Sequence, residues 1–359
     1  MKIKKVAILG LGLIGGSIAK ALKKTNYNIE ISAYDNESIL KIAEQDGSIN
    51  VCLNNPLNAL QSDIIFLSLP VELSLKYFIE LVPQLSEKQI ITDVCSVKSI
   101  FTKQWETLSS KGYYIGGHPM TGKEKGGYKN ADPLLFENSV YILEKTPGEH
   151  PLYQDFLSLI TSLGARITLL DPYLHDKIVA NVSHLPQILS ISLVNSTSIK
   201  NQEISFLDFA AGGFRDMTRI ASSDFQIWES VIKHNRKEIL TALDLYLEEI
   251  SIIKNLLEEE NNEVLAEKFE DARIKRDEIP KTNKGFISSL HDIYVFVKDE
   301  PGVISKISTA LYNHGINIKD IELLKIREGT GGTFRLSFDN YNDSKEAILI
   351  LNKIGFETN

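Results

Sequence analysis

A histidine set among glycines, Gly116-Gly117-His118-Pro119, follows a strand-like run at residues 113–115. Upstream, Thr92-Asp93-Val94-Cys95-Ser96-Val97-Lys98 leaves the end of another apolar run, at residues 89–94. Downstream lie Ser183-His184-Leu185-Pro186-Gln187 and Gly212-Gly213-Phe214-Arg215-Asp216-Met217-Thr218-Arg219. Imidazole exchanges protons near neutral pH, so His118 at the C-terminal edge of a strand is a candidate general base. Ser96 fits two roles, the N-cap of the next helix or a hydroxyl in the site. His184 sits in an apolar helical pattern, which suits a satisfied core histidine as well as a ligand contact. Arg215 and Arg219 share a face if their segment is helical, and Asp216 could neutralise either.

The element that would position a cofactor near these groups opens the chain. Gly10-Leu11-Gly12-Leu13-Ile14-Gly15-Gly16 follows the strand-like Lys5-Val6-Ala7-Ile8-Leu9 and precedes a helical pattern. A second strand-like run, residues 29–34, then ends in Asp35. This is the dinucleotide-binding fingerprint in full context, with an acid about 20 residues after the last motif glycine. Gly10 permits the turn, Gly12 leaves room for the pyrophosphate, and Gly15 lets helix and strand close up. Leu13 and Ile14 open the helix and offer N–H groups to the phosphates. A carboxylate at Asp35, followed by Asn36 rather than Arg or Lys, favours NAD over NADP.

The chain has 359 residues, enough for two or three domains. Its 43% hydrophobic and 24% charged content is that of an ordinary globular protein. A formal net charge of -8 and the lack of a basic stripe argue against a nucleic-acid surface. Cys52 and Cys95 give neither a disulfide framework nor a metal spacing, and both are expected to be buried thiols. No metal site is expected. The N-terminus leads straight into a strand, and no apolar run reaches membrane-span length, so a cytoplasmic setting without membrane contact is the expectation.

Three regions follow from the hydrophobic pattern, within an α/β chain. Residues 1–171 alternate strands and helices, with further strands at 63–69, 139–143 and 165–170. They are read as a Rossmann-type, doubly wound parallel sheet. Residues 172–277 show helical spacing, at Ile178, Val182, Leu185, Leu189 and Leu193, then from Ile239 to Leu257. The width of that second apolar stripe predicts an intertwined helical dimer or packing onto the chain's own sheet domain. Residues 278–290, polar with Pro280 and Gly285, read as a linker. Residues 291–359 read as strand, helix, two strands, helix and a short last strand, a ferredoxin-like α+β module. There Gly302 and Val303 begin a helix whose N–H groups suit an amino-acid carboxylate, and Asn317 could meet its ammonium.

Taken in order, Gly-Leu-Gly-Leu-Ile-Gly-Gly-Ser, Asp-Val-Cys-Ser-Val-Lys, Gly-His-Pro-Met-Thr-Gly, Ser-His-Leu-Pro and Gly-Gly-Phe-Arg-Asp-Met-Thr-Arg-Ile-Ala resemble the prephenate dehydrogenase family. The last is the most specific, and residues 291–359 resemble an ACT domain. The resemblance implies NAD-dependent oxidative decarboxylation of prephenate to 4-hydroxyphenylpyruvate in tyrosine biosynthesis, with tyrosine as feedback effector and a homodimer. It implies that His118 takes the hydroxyl proton and that Ser96 orients His118 and the hydroxyl. Arg219 would grip a carboxylate, with Arg215, His184 and Glu124 also lining the substrate site. Relatives often carry a second histidine where this chain has Gln187. Arogenate dehydrogenase is the nearest alternative. An ACT-bearing hydroxyacid dehydrogenase and an NAD-responsive regulator are more distant ones.

Overall fold

The structure, a computed structural model, describes residues 2–123, 125–145, 150–201, 204–279, 290–327 and 331–359. Glu124 and most of the expected linker lie outside the described residues. Contacts divide the chain into two units, Met1–Phe269 and Glu270–Asn359.

The continuous apolar runs at the start of the chain form strands buried on both faces. β1 (Lys5–Leu9), β2 (Glu30–Tyr34), β3 (Val51–Cys52), β4 (Ile64–Leu67), β5 (Ile90–Asp93) and β6 (Tyr113–Tyr114) make one sheet in the order β3-β2-β1-β4-β5-β6. Every pairing in it is parallel. α1 (Leu13–Lys24) and α5 (Tyr153–Ser162) cover one face through Ile18, Leu22 and Phe156. α3 (Val71–Leu81) and α4 (Ser99–Thr107) cover the other through Phe78, Leu81 and Phe101, while α2 (Glu37–Gln45) lies between β2 and β3 in the chain. The strand order reverses between β1 and β4, and the crevice at such a reversal is where ligands of doubly wound sheets bind. Cys52 corrects one expectation, because it ends the edge strand β3 and is exposed, whereas Cys95 is buried.

Residues 139–143 and 165–170 do not extend that sheet. β7 (Gly117–Pro119), β8 (Val140–Glu144) and β9 (Arg166–Leu170) form a second sheet, with β7 antiparallel and β9 parallel to β8. The glycines explain the switch. A Cβ on Gly117 would stand 2.6 Å from the Asp93 carbonyl oxygen, so only glycine lets the chain pass β5 this closely on its way to β8. His118 therefore sits on a strand registered against Ile142, not on a loop.

The helical region comprises α6 (Pro172–Val179), a single π-turn at Ala180–His184, α7 (Leu185–Thr197), α8 (Gly212–Thr218), α9 (Phe225–His234), α10 (Arg236–Glu258) and α11 (Asn262–Glu278). Between α7 and α8 lie two short paired strands, β10 (Lys200–Asn201) and β11 (Ile204–Ser205). Asp171 caps α6 by accepting from the N–H groups of Tyr173 and Leu174. Pro172–Thr197 is, against expectation, long and apolar enough to cross a membrane by length and composition. It nevertheless buries His175, Asp176 and His184, all hydrogen-bonded within this unit.

The second unit holds β12 (His291–Val297), α12 (Val303–Tyr312), β13 (Asp320–Arg327), β14 (Gly331–Phe338), α13 (Tyr341–Lys353) and β15 (Glu357–Thr358). Its antiparallel sheet has the order β13-β14-β12-β15, the ferredoxin-like arrangement. Ile293, Val295, Leu336 and Phe338 pack its inner face against Val303, Ile307 and Leu351 of the helices.

The close approach of α1 to the sheet can be tested directly. A Cβ on Gly15 would overlap the Gly10 carbonyl oxygen and stand 2.9 Å from Ser68 Cβ. Gly15→Ala should lower Tm by several degrees, at an overpacking cost of roughly 1–3 kcal/mol, and weaken NAD binding in fluorescence titration. An unchanged Tm would disprove the constraint.

Candidate active site

At the head of β1, Gly10 has φ of +98°, and its N–H donates to the Tyr34 carbonyl oxygen at 2.8 Å. Asp35 folds back on this turn. One carboxylate oxygen accepts from Leu11 N–H and the other from Asn36 N–H, both at 2.6 Å. A carboxylate offers about four lone pairs, so two ribose hydroxyls can still be met. A Cβ on Gly12 would find nothing within 4 Å, so the space beside the turn is open. Gly12 is also the N-cap of α1, with no side-chain cap and no acid in the first turn. The N–H groups of Leu13 and Ile14 are thus left for a phosphate. Ser68 Oγ, beside the same turn, is buried without a hydrogen-bond partner among the described residues. Open cradle, uncapped helix, orphaned hydroxyl and carboxylate together fit a dinucleotide.

His118 is half-buried on β7, and its Nδ1 lies 2.8 Å from Nε2 of His175 on α6. Nδ1 of His175 lies 2.8 Å from Oδ1 of Asp176. Asp176 in turn accepts from the N–H groups of Lys98 at 2.7 Å and Ser99 at 2.9 Å, at the start of α4. These bonds fix where the protons are. An ionised carboxylate only accepts, so His175 carries its proton on Nδ1 and accepts at Nε2. His118 must then donate from Nδ1, which leaves the lone pair of its Nε2 unprotonated and, among the described residues, free to accept. Burial, with His175, Lys98 and His184 nearby, holds the His118 pKa well below the ordinary imidazole value. Asp176 is held below the usual carboxylate range although burial opposes this, because its hydrogen bonds to His175, Ser99 and Lys98 outweigh it.

Neither His175 nor Asp176 belongs to a motif the sequence singles out. Ser96 lies half-buried on the turn between β5 and α4. It does not cap that helix, whose N-cap is Lys98. No hydrogen bond joins Ser96 to His118 among the described residues, and the orienting partner of His118 is His175.

Below the His118 strand lies a buried charged cluster. Lys98 Nζ is bonded to Asp93 Oδ1, and both residues are almost fully buried. Tyr114 Oη donates to Asp93 Oδ2 at 2.8 Å, and Cys95 N–H donates to Asp93 Oδ1 at 2.9 Å. Glu144, at the end of β8, accepts from Thr102 Oγ1 at 3.3 Å. Burial raises the Glu144 carboxyl to about 7; Lys98 opposes the shift and Asp93 adds to it.

The helical residues gather on a second wall. Asn235 Nδ2 donates to the Asp176 carbonyl oxygen at 2.8 Å and reaches His184 Nδ1 at 3.2 Å. His184 therefore accepts at Nδ1 and carries its proton on Nε2. Burial lowers its pKa to about 4, so it is a neutral donor at physiological pH. It lines a cavity of about 70 Å³ with Gln187, Ile188, Ser223, Phe225 and Trp228. Gln187 Nε2 donates to the Ile220 carbonyl oxygen at 3.0 Å. That bond ties α7 to the 3-10 turn Arg219–Ser222, which Arg219 opens. Arg215 and Arg219 are both exposed, and Arg215 Nε donates to the Ala210 carbonyl oxygen at 3.2 Å.

Three family models match the chain: "Prephenate dehydrogenase, nucleotide-binding domain" over residues 18–169, "Prephenate dehydrogenase, dimerization domain" over 171–271, and "ACT domain" over 291–356. The chain is 35% identical to the prephenate dehydrogenase of Bacillus subtilis, across 95% of this chain and 94% of that protein. It is 33% identical to the prephenate dehydrogenase of Lactococcus lactis, across 98% of each. Among solved structures, prephenate dehydrogenase from A. aeolicus in complex with hydroxyphenyl propionate and NAD+ aligns with a TM-score of 0.71 and 30% identity. That alignment covers 78% of this chain and 99% of that one. Synechocystis arogenate dehydrogenase aligns with a TM-score of 0.67 and 29% identity, over 76% and 99%.

The buried cluster has a pH signature. Between an unfolded value near 4.5 and a folded value of about 7, the native protein holds a proton on Glu144 that the unfolded chain has lost. Stability contributed by this group therefore declines as pH rises through that window. Glu144→Gln should raise Tm at pH 8 by roughly 2–6 °C and change it little at pH 4.5. Scanning calorimetry at the two pH values checks this, and an equal shift at both would contradict it.

Proposed function

This chain belongs to the prephenate dehydrogenase family, and we propose that it converts prephenate to 4-hydroxyphenylpyruvate with NAD, under feedback by tyrosine. The observation that carries this reading is the polarised chain from Asp176 through His175 to His118, which leaves an unprotonated Nε2 to receive a hydroxyl. Bound NAD supplies the acceptor for the hydride lost from the carbinol carbon. The open cradle at Gly12, the N–H groups of Leu13 and Ile14, Ser68 and Asp35 are the groups that would hold it. Asp35 supports NAD over NADP, because its carboxylate would repel a 2′-phosphate.

His118 accepts the hydroxyl proton at Nε2 as the ring carbon is oxidised. Carbon dioxide then leaves, the ring becomes aromatic, and the oxygen recovers its proton from His118 as a phenol. No net proton is released, so the base must hold one proton briefly and give it back. Arg219 offers a planar fork to one of the two substrate carboxylates, and Arg215 adds positive charge beside it. His184 donates from Nε2 to a second substrate oxygen. Ser96 lies within the turn that carries Lys98 and completes the polar lining. Glu124 is assigned to the lining of the substrate site, as the family resemblance implies. Family membership and the helical region's exposed apolar side chains, such as Leu240 and Leu257, support a homodimer.

Regulation is assigned to residues 291–359. A cavity of about 250 Å³ lies at the start of α12, lined by Gly302 and Val303 together with Glu300, Ser305, Leu323 and Phe334. Helix N–H groups beside an apolar wall suit an aromatic amino acid's carboxylate and ring. Asn317 is exposed and outside that lining.

Three measurements test this reading. NADH formation should be fast with prephenate and much slower with arogenate, the alternative supported by the arogenate dehydrogenase neighbour. His118→Asn should lower kcat by roughly 10²–10⁴ with little change in KM. A near-normal kcat would remove His118 from the chemistry. Separately, a chain ending at residue 279 should keep its kcat and lose inhibition by tyrosine. Retained inhibition would move the effector to the substrate site.

A further inference from the structure

Orienting His118 requires only an acceptor at its Nδ1, and a backbone carbonyl would serve. The group found there is a second imidazole, His175, which is 1% exposed and itself bonded to a carboxylate. A carbonyl cannot take up a proton in this pH range, whereas an imidazole can. We propose that His175 stores the proton withdrawn from the substrate hydroxyl until the ring becomes aromatic, so that the positive charge rests beside Asp176 and not on His118. This deepens the reading of His118 as base and rests on it.

The step balances in atoms. The substrate O–H bond breaks as His118 gains a proton at Nε2. In the same movement His118 Nδ1–H breaks and His175 Nε2–H forms. On the return, His175 gives its Nε2 proton back to His118 Nδ1, and His118 Nε2 reprotonates the phenolic oxygen. No further oxidant, reductant or base is needed. The link between the two rings is 2.8 Å, short enough for transfer without movement of either one, and the 2.8 Å bond to Asp176 holds His175 in place.

The surroundings favour the second ring for the charge. Among the described residues, the groups pressing on His118 are His175, Lys98 and His184, all basic. Burial, together with Lys98, holds the His175 pKa below the ordinary imidazole value, but unlike His118 it faces carboxylates, Asp176 and Asp93, that favour its cation. A proton left on His118 would meet burial with no counter-charge among those groups. One ring further in, it forms an ion pair that also keeps the two backbone N–H bonds to Asp176. The carboxylate stays ionised throughout, as in other carboxylate–imidazole pairs that stabilise a transient imidazolium.

The test uses the full-length enzyme and the single-turnover rate of NADH formation in mixtures of H2O and D2O. Two protons in flight give a curved dependence on deuterium fraction, and the wild-type enzyme should show it. His175→Gln keeps an acceptor oxygen for His118 Nδ1–H but cannot take a proton. It should give a straight line, a rate at least roughly tenfold lower and an unchanged KM. A straight or flat plot for the wild-type enzyme overturns the proposal without reference to any variant. So does a His175→Gln rate within twofold of wild type. A near-normal rate for His118→Asn would instead refute the base assignment itself, which keeps the two failures apart.

Discussion

The carboxylate of Asp176 is the point on which the site depends. It sits on the first helix of the helical region yet caps the start of α4 in the nucleotide domain, through the N–H groups of Lys98 and Ser99. The same oxygen that takes Lys98 N–H also fixes the tautomer of His175. Its backbone carbonyl accepts from Asn235, and Asn235 sets His184. One residue thus joins two layers of the fold and decides which nitrogen of two histidines is a donor. A buried carboxylate is expensive to desolvate, and only several charge-assisted hydrogen bonds offset that cost. Asp176 has them, which is why burial fails to neutralise it.

The charged groups under β7 obey the same constraint with a different outcome. Asp93 has Lys98, Tyr114 and the Cys95 N–H as partners, and it forms a buried ion pair. Glu144 has the Thr102 hydroxyl and the Gly116 backbone as partners, with Lys98 also opposing the effect of burial, too little to keep it ionised below neutral pH.

Much of the fold was legible because it depends on local pattern. The apolar runs, the glycine turn with Asp35, the change to helical spacing after residue 171 and the strand–helix order of the last unit are contiguous signals. The His118–His175 contact is not one. It joins residues 57 apart, and Pro172-Tyr-Leu-His-Asp reads as a plain capped helix start. The one local hint is a His-Asp pair in the first turns of a helix that follows a strand. The second sheet was hidden for a similar reason, since β8 and β9 have the same apolar pattern whichever sheet they join. Gln187, where relatives often have histidine, acquires a role only in three dimensions, as the tie to the turn that bears Arg219.

The polarity of the imidazole chain also sorts ligands by oxidation level. With its lone pair outward, Nε2 of His118 welcomes a hydroxyl and opposes a carbonyl, since two lone pairs would then face each other. Once Nε2 has gained a proton the preference reverses, and a carbonyl is the oxygen that fits. With His118 as the proposed base, the site would thus hold the alcohol before oxidation and the ketone after it, by relocating a hydrogen and moving no heavy atom.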